Sequence, residues 1–493
     1  MKKVSLLLTL LSTSLLYGSN YSIVDTGQKN YFDDNGYIKK PTVGSSYFGQ
    51  DSSYLGNQPS FQDNQNGTVT DNVTGLMWQK KVLPKMTYSQ AVDYANSANI
   101  GGYSDWRIPT IKELYSLVNF KGQTGKGNPN TSKVPYDAKP YIDTKYFDFE
   151  YPKERRFIDA QYWSSTDYVN TTMGGAETFF GVNFADGRIK GYPKFRAHGK
   201  QSSFYLRVVR GNKNYGKNKF VDNRDGTVYD RATNLMWMKN DSQKGMKWES
   251  ALAFCESLQI AGKSNWRLPN AKELQSIVDY TRSPDTTNSA AIDKLFHATS
   301  IENEENVKDF ASYWSSTTHL DGRDIGSFAI YVSFGRALGY MQDPRLGTRQ
   351  LMDVHGAGAQ RSDPKSGSIS RYERTGHGPQ GDVIRVKNFV RCVSDNFTVL
   401  NTSNDYEIKS RSLFKPQKGF EMMRQNKPAQ PQRSTNRKGP SSLILERFDK
   451  NSDNMISYKE APTMMQRNFS RHDKNEDGFL DESELSDLPK PQR

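Results

Sequence analysis

The sequence predicts an α+β protein in which two tandem copies of one domain precede a small all-α unit at the carboxyl end. Three observations lead to this prediction. They are a long internal repeat, an order of two helices followed by short strands in each copy, and a pair of twelve-residue loops rich in side-chain oxygens. Because 493 residues are too many for one hydrophobic core, division into several domains is expected.

The amino end has the features of a signal peptide over residues 1–19. Lys2 and Lys3 provide a basic head, an apolar run follows, and small residues near Ser19 suit cleavage. No other stretch is apolar enough to span a bilayer, so no transmembrane segment is expected after cleavage. Export is therefore predicted, with the periplasm, the cell surface or the medium as the final compartment. Residues 20–60 form an N-terminal segment before the repeat.

The net charge of +13 comes mostly from a basic polar linker predicted over residues 403–440. Residues 409–438 hold nine lysines or arginines and one acid, Glu421. Specific nucleic-acid binding needs basic side chains held in register on a folded face, so it is not expected. The linker is either a solvated spacer or a weak attachment to an anionic glycan or lipid.

The internal repeat is found by comparing the chain with itself. It defines copy one, residues 61–212, and copy two, residues 220–396, with the first matches 159 or 160 residues apart. The matching stretches are Phe61-Gln62-Asp63-Asn64 with Phe220-Val221-Asp222-Asn223, Leu76-Met77-Trp78 with Leu235-Met236-Trp237, Trp106-Arg107 with Trp266-Arg267, and Tyr162-Trp163-Ser164-Ser165-Thr166 with Tyr313-Trp314-Ser315-Ser316-Thr317.

Each copy is predicted to open with a hairpin-like segment, because an Asp-Asn…Gly turn precedes β-branched residues. Two helices follow, and the proline of a shared Trp-Arg-x-Pro corner suits the first turn of the second helix. Short strands complete the copy. In residue numbers, the helices are predicted over 89–98, 110–118, 249–258 and 270–278, the later strands over 179–184 and 329–334, and the closing strands over 204–209 and 388–393.

Cys255 and Cys392 are the two cysteines of the chain, and the repeat indicates that they pair. They align with Ala95 and Val208, so copy two has both cysteines and copy one has neither. A disulfide explains this joint presence, and an exported chain favours one. The bridge would tie the first helix of copy two to its last strand. Two buried thiols are the alternative.

Three motifs of copy one, with counterparts in copy two, resemble the C-terminal domain family of the legionella collagen-like adhesin. They are Gly75-Leu76-Met77-Trp78, Asp105-Trp106-Arg107-Ile108-Pro109 and Tyr162-Trp163-Ser164-Ser165-Thr166. The resemblance implies a C-type-lectin-like fold, with a helix-to-last-strand disulfide as its core bridge, and adhesion to a carbohydrate or a surface. The tryptophans of these motifs are expected in the core.

Copy two carries an apparent insertion, residues 341–376, rich in Gly, Asp, Arg and Ser. The Tyr-to-His spacing of six residues in copy one, from Tyr192 to His198, becomes 37 residues in copy two. Long polar insertions on a rigid scaffold often hold binding residues. A loop without a binding role is the alternative. The ligand site, with copy one mainly structural, is predicted around Asp353, His355, Arg361 and His377.

Two twelve-residue loops within residues 441–493 match the EF-hand pattern. The pattern needs oxygen ligands at positions one, three, five, seven, nine and twelve, the seventh through its backbone carbonyl, and glycine at six. Asn454 replaces that glycine in the first loop and tolerates the left-handed turn. The predicted calcium ligands are Asp449, Asn451, Asp453, Met455, Ser457 and Glu460 in the first loop, and Asp473, Asn475, Asp477, Phe479, Asp481 and Glu484 in the second.

The two loops are expected to support each other. Ile456 and Leu480 stand at position eight, where paired loops join through two short strands. Phe448 and Phe469 can fill a shared apolar core beside Leu445 and Leu485. The second loop offers four carboxylates and the first three, so the second is expected to bind calcium more tightly. Calcium would act either as a structural clip or as a switch.

Together these features predict an exported calcium-binding protein that recognises a glycan or a surface partner. The alternative is a structural or assembly component of the cell envelope that docks a partner through its EF-hand tail. An enzyme is not expected, because both cysteines are assigned to a bridge and the sequence shows no nucleophile elbow, zinc spacing or phosphate loop.

Overall fold

The computed structural model describes residues 21–321, 325–342, 347–368, 376, 378 and 380–395, and near the carboxyl end residues 448, 456–457, 461–466, 472, 479–480 and 485. The chain divides into two compact units, Met1–Ser410 and Arg411–Arg493. The predicted signal peptide and basic linker lie outside the described residues. Within the described part, no helix is both long enough and apolar enough to cross a bilayer.

The N-terminal segment holds one small hairpin, and copy one places two helices between its opening and later strands, as the sequence predicts. The elements are β1 (Tyr31–Phe32), β2 (Tyr37–Ile38), β3 (Phe61–Asp63), β4 (Thr68–Asp71), β5 (Leu76–Gln79), α1 (Tyr88–Ser97), α2 (Ile111–Ser116), β6 (Gln161–Tyr162), β7 (Asp167–Thr172), β8 (Ala176–Asn183), β9 (Arg188–Pro193) and β10 (Val209–Gly211).

Copy two repeats this order and adds a short helix and two hairpins. Its elements are β11 (Phe220–Asp222), β12 (Thr227–Asp230), β13 (Leu235–Met238), α3 (Trp248–Glu256), α4 (Ala271–Ser276), α5 (Pro284–Thr287), β14 (Ser300–Glu302), β15 (Lys308–Phe310), β16 (Ser312–His319), β17 (Phe328–Ser333), β18 (Leu338–Gln342), β19 (Arg349–Asp353), β20 (Gln360–Pro364) and β21 (Val393–Asp395).

The short helices α2 and α4 begin with capping boxes. The Thr110 hydroxyl accepts a bond from the Glu113 N–H, and the Glu113 carboxylate accepts one from the Thr110 N–H at 2.9 Å. Asn270 caps α4 in the same way. Pro109 and Pro269 therefore stand before the N-caps, and their predicted place in the first helical turn is wrong. The oxygen-bearing side chain that follows each proline is the better N-cap.

Each copy forms a four-stranded antiparallel sheet from its opening strands and its closing strand, in the orders β10-β5-β4-β3 and β11-β12-β13-β21. The closing strands begin at Val209 and Val393, later than the predicted starts at 204 and 388. The preceding residues make single bridges instead, Phe204 with Met86 and Asn388 with Met246. These segments form isolated β-bridges and are not part of a regular β-ladder.

A seven-stranded sheet joins the two copies, in the order β16-β17-β20-β9-β8-β6 with β7 beside β8. The pairs β9–β8 and β20–β17 have the same register, with Pro193 and Pro364 at equivalent positions. Ile189 and Gln360 are then also equivalent, and they pair with each other across the junction. Equivalent residues that pair with each other indicate a local twofold axis between the copies.

This register changes the position of the insertion in copy two. The sequence places it at 341–376, because Tyr340 matches Tyr192. In the structure β20 takes the place of β9, so most of the extra residues lie between β17 and β20 and include the β18–β19 hairpin, and the rest follow β20 in the chain. The sequence match is misleading because Tyr340 lies in a strand that pairs outside the main sheet.

The helices α2 and α4 pack against each other, and a lysine from each helix bonds to the other. Lys112 Nζ donates to the Ser276 carbonyl at 2.6 Å, and Lys272 Nζ donates to the Ser116 carbonyl at 2.8 Å. One hydrophobic core continues through both copies and includes apolar side chains of both helices. The two copies are therefore tandem domains that share one core and pack as a single compact unit.

The motif tryptophans are buried, as the sequence predicts. The predicted disulfide between Cys255 and Cys392 is also confirmed, with the Cα atoms 5.6 Å apart. It ties α3 to the residue before β21, inside a buried apolar cluster of copy two. The motif tryptophans, each at most 4% exposed, are Trp78, Trp106, Trp163, Trp237, Trp266 and Trp314.

Candidate functional site

Three of the four residues predicted to bind a ligand lie at the junction of the copies. Asp353 ends β19, and its carboxylate accepts a bond from the Tyr168 hydroxyl of copy one at 2.8 Å. Burial raises the pKa of Asp353 to about 6. His355 and Arg361 follow in the chain and are buried. His377 lies outside the described residues.

Asp382 holds His355 and Arg361 together. His355 Nε2 lies 2.8 Å from Asp382 Oδ1, and the Arg361 guanidinium forms an ion pair with the other carboxylate oxygen. Burial, together with the charges of Arg361 and Lys190, keeps the pKa of His355 well below its usual value. These residues are therefore packed inside the fold, although the segment is rich in polar residues. A ligand-binding role for these residues stays a prediction.

The carboxyl-terminal loops are described at a few positions, and these positions pair as the sequence predicts. The strands β22 (Ile456–Ser457) and β23 (Phe479–Leu480) are antiparallel, with Ile456 opposite Leu480. Both residues are fully buried in a cluster with Leu485, against which Phe448 packs. A short helix, α6 (Thr463–Gln466), lies between the strands in the chain. Of the predicted calcium ligands, all but Ser457 and Phe479 lie outside the described residues.

A cleft of about 320 Å³ lies between the N-terminal segment and copy two. The segment is held there by Gln28, whose side chain accepts from the Thr318 N–H at 2.9 Å and donates to the Thr318 carbonyl at 2.8 Å. This amide covers the edge strand β16 as a neighbouring strand would. Asp51 is a second anchor, because the hydroxyls of Thr26 and Thr317 donate to its carboxylate.

Charged and polar side chains line the cleft. Arg267 forms a bidentate ion pair with Glu273, at 2.6 and 2.7 Å. Its guanidinium also lies 3.0 Å from Asp395 and 5.3 Å from the centre of the Tyr54 ring. The other lining residues are Ser22, Ile23, Asp25, Asp51, Leu55, Gly56, Asn57, Thr233, Asn234, Leu235, Asn270 and Ser316.

The pKa values of two charged side chains in the cleft walls differ from their usual values. Burial raises the pKa of Asp51 to about 7, and the nearby charge of Asp25 acts in the same direction. Burial opposes the charge of Arg267, but Asp395 and Glu273 raise the pKa of this guanidinium well above its usual value. The cleft therefore combines one positively charged guanidinium, that of Arg267, with an excess of carboxyl groups. Such groups accept hydrogen bonds from a ligand that carries hydroxyl or amino groups.

The corresponding face of copy one is open. Its Arg107–Glu113 ion pair repeats the Arg267–Glu273 pair of copy two. Ser165, the counterpart of Ser316, is exposed, whereas Ser316 is only 1% exposed. The two repeats thus supply the same groups, but only copy two has a described covering segment over them.

The sequence does not reveal this cleft, because its walls come from segments far apart in the chain. One available signal is the length of the segments before the repeats. Residues 20–60 precede copy one, whereas only residues 213–219 separate the copies. This difference in length indicates that one repeat has a feature that the other repeat lacks.

Comparison with known proteins identifies one family. The model of the Lcl C-terminal domain matches residues 67–210 and 226–350, together more than half of the chain. Neither the search of curated proteins nor the search of solved structures returned a match. The two matched regions fall within copy one and copy two. Both copies contain the three motifs from which this resemblance is predicted. The chain therefore belongs to the Lcl C-terminal domain family.

Proposed function

We propose that the protein is an exported, adhesin-like surface protein that recognises a glycan or another surface molecule and carries a calcium-binding tail. Membership in the Lcl C-terminal domain family supports the adhesive part. This family is adhesin-like and in general non-enzymatic, which agrees with a binding role. Export through the signal peptide and a C-type-lectin-like fold for each copy belong to the same proposal.

The pairing of Ile456 with Leu480 is the observation that carries the calcium proposal. These residues stand at position eight of two loops that otherwise place oxygen ligands at the spacing of EF-hands. A chance pair of such loops would not be expected to meet in this register. Because so small a unit has a small core, bound calcium would supply much of its folding free energy.

A glycan array and a pull-down from cell-envelope extract, both with the full chain, test the adhesive function. Saturable binding to array glycans supports glycan recognition. Specific capture of a defined surface protein supports recognition of a protein partner. If the capture is lost with a chain truncated before residue 441, the assembly role of the tail is favoured. Binding in neither experiment would contradict the proposal.

A further inference from the structure

Building on the proposed adhesive function, we propose that the cleft between the N-terminal segment and copy two binds a neutral, hydroxyl-rich ligand the size of one or two sugar rings. The volume of about 320 Å³ is at the lower end of the range, roughly 300–1,000 Å³, in which small-molecule sites occur. Residues from two separate parts of the chain form its walls, so the cleft exists only when the N-terminal segment is docked on copy two.

The walls offer more hydrogen-bond acceptors than donors. Each carboxylate oxygen has two acceptor positions, and the protein uses only part of this capacity. Asp25, for example, accepts one bond at each oxygen, from Gly27 N at 2.7 Å and Gly56 N at 2.9 Å. A ligand with several hydroxyl groups can donate to the remaining positions and accept from the side-chain amides that also line the cleft.

Ser316 marks a specific contact point. It lines the cleft, it is 1% exposed, and its hydroxyl has no hydrogen-bond partner among the described residues. Buried hydroxyls are normally hydrogen-bonded, so a ligand group would complete the bonding of this one. In copy one the equivalent Ser165 is exposed, and its hydroxyl donates to the Pro109 carbonyl at 3.3 Å.

The charges select against an anionic ligand. Four carboxyl groups line the cleft against one guanidinium, which is already paired with Glu273 and Asp395. The nearby ammonium of Lys272 is bonded to the Asp25 carbonyl at 3.1 Å, and Lys272 is not a lining residue of the cleft. A uronic acid or a sulfated sugar would be repelled by the excess negative charge of these carboxyl groups. The basic net charge of the chain therefore does not describe the charge of this site.

A metal ion is not the ligand that these carboxyl groups favour. Among the residues that the structure describes, no group of three or more histidine, cysteine, aspartate or glutamate side chains is placed to hold a metal. The carboxyl groups are instead divided between the N-terminal segment, which supplies Asp25 and Asp51, and copy two, which supplies Glu273 and Asp395. A neutral polyol can bridge this separation with several weak bonds.

Saturation-transfer NMR on the full chain tests the proposal with defined sugars. The neutral probes are methyl β-D-glucoside, N-acetyl-D-glucosamine and lactose, the cationic probe is glucosamine, and the anionic probe is glucuronate. At least one neutral probe should show saturable binding, and glucuronate should show none. No binding of any neutral probe, or stronger binding of glucosamine or glucuronate, would overturn the assignment of ligand class.

Two variants with matched controls locate the binding. Ser316→Ala should weaken binding of the neutral probe about tenfold, whereas Ser165→Ala in copy one should not change it. Leu55→Trp, at a cleft position that is 44% exposed, should block binding by filling the space. Its control is Val43→Trp, because Val43 is 76% exposed and is not a lining residue.

These outcomes distinguish a failure of the cleft proposal from a failure of the proposed adhesive function. Loss of binding in Ser316→Ala and Leu55→Trp, with binding kept in both controls, supports the cleft. A neutral sugar that binds all four variants equally would place the site elsewhere and overturn the cleft, while the adhesive function would survive. Binding of a neutral array glycan that Leu55→Trp does not affect would likewise overturn the cleft.

Discussion

Lys112 and Lys272 occupy the same position in the two repeats and show how one residue can join them. Each ammonium group reaches across to a carbonyl at the end of the opposite helix. Burial lowers the pKa of each lysine to about 8, although nearby carboxylates act in the opposite direction. The sequence shows these lysines only as part of a repeated Lys-Glu-Leu motif, because their partners lie in the other copy.

Replacement of Lys272 by methionine should lower the free energy of unfolding by about 1–3 kcal/mol, because two buried carbonyls lose their donor. These are the carbonyls of Asp25 and Ser116. The measurement is chemical denaturation at neutral pH. The control is Lys81→Met, at an exposed position of copy one, which should change stability little. Equal losses in both variants would contradict the role assigned to the buried ammonium.

The lowered pKa of Lys272 also predicts a pH dependence. In the folded protein this pKa is about 8, compared with the ordinary 10.5. Between these values the unfolded chain binds more protons, so this group makes the protein more stable as the pH rises through that window. In Lys272→Met the rise in unfolding free energy from about pH 8 to pH 9.5 should be smaller than in the unmodified chain. Parallel curves would show that the pKa is not lowered.

At the scale of secondary-structure elements, the sequence predicts those features that are determined by residues close together in the chain or by the repeat. The helices and opening strands follow from turn residues and the repeat, and the disulfide follows from the paired presence of Cys255 and Cys392. The strand β20 and the cleft could not be predicted in this way. The position of β20 depends on pairing with β17 and with β9 of the other copy. The cleft depends on where the N-terminal segment docks.

The cap of α2 should contribute measurably to stability. Thr110→Ala removes the hydroxyl that accepts the Glu113 N–H, so the free energy of unfolding should fall by about 1 kcal/mol. The N-cap of α3, Lys247, makes no side-chain capping bond, and Lys247→Ala should therefore have little effect. Denaturant titration of both variants checks this difference. Equal losses of unfolding free energy in the two variants would contradict the prediction.

Removal of the disulfide should destabilise the unit that contains both copies. The bridge closes a separation of 137 residues, and the double variant Cys255→Ala, Cys392→Ala should lose about 2–5 kcal/mol of unfolding free energy. The unmodified chain under reducing conditions should behave like the variant. Unchanged denaturation midpoints in both cases would show that the bridge does not contribute to stability.

At the scale of the whole molecule, the shared sheet and core predict that the two copies unfold together. Scanning calorimetry should show a single transition for them, because one hydrophobic core and one seven-stranded sheet run through both copies. Any transition of the tail can be recognised by its response to a calcium chelator. Two chelator-insensitive transitions of similar size would mean that the repeats are independent domains after all.

The functional account depends most on whether the carboxyl-terminal loops hold calcium, and calorimetric titration of the full chain with calcium tests this directly. Saturable binding is expected, and Glu484→Gln should abolish the tighter site. Glu476→Gln removes a carboxylate at a non-ligand position of the same loop and should leave binding unchanged. A titration without saturable heat, or a Glu484→Gln variant that binds like the unmodified chain, would contradict the account.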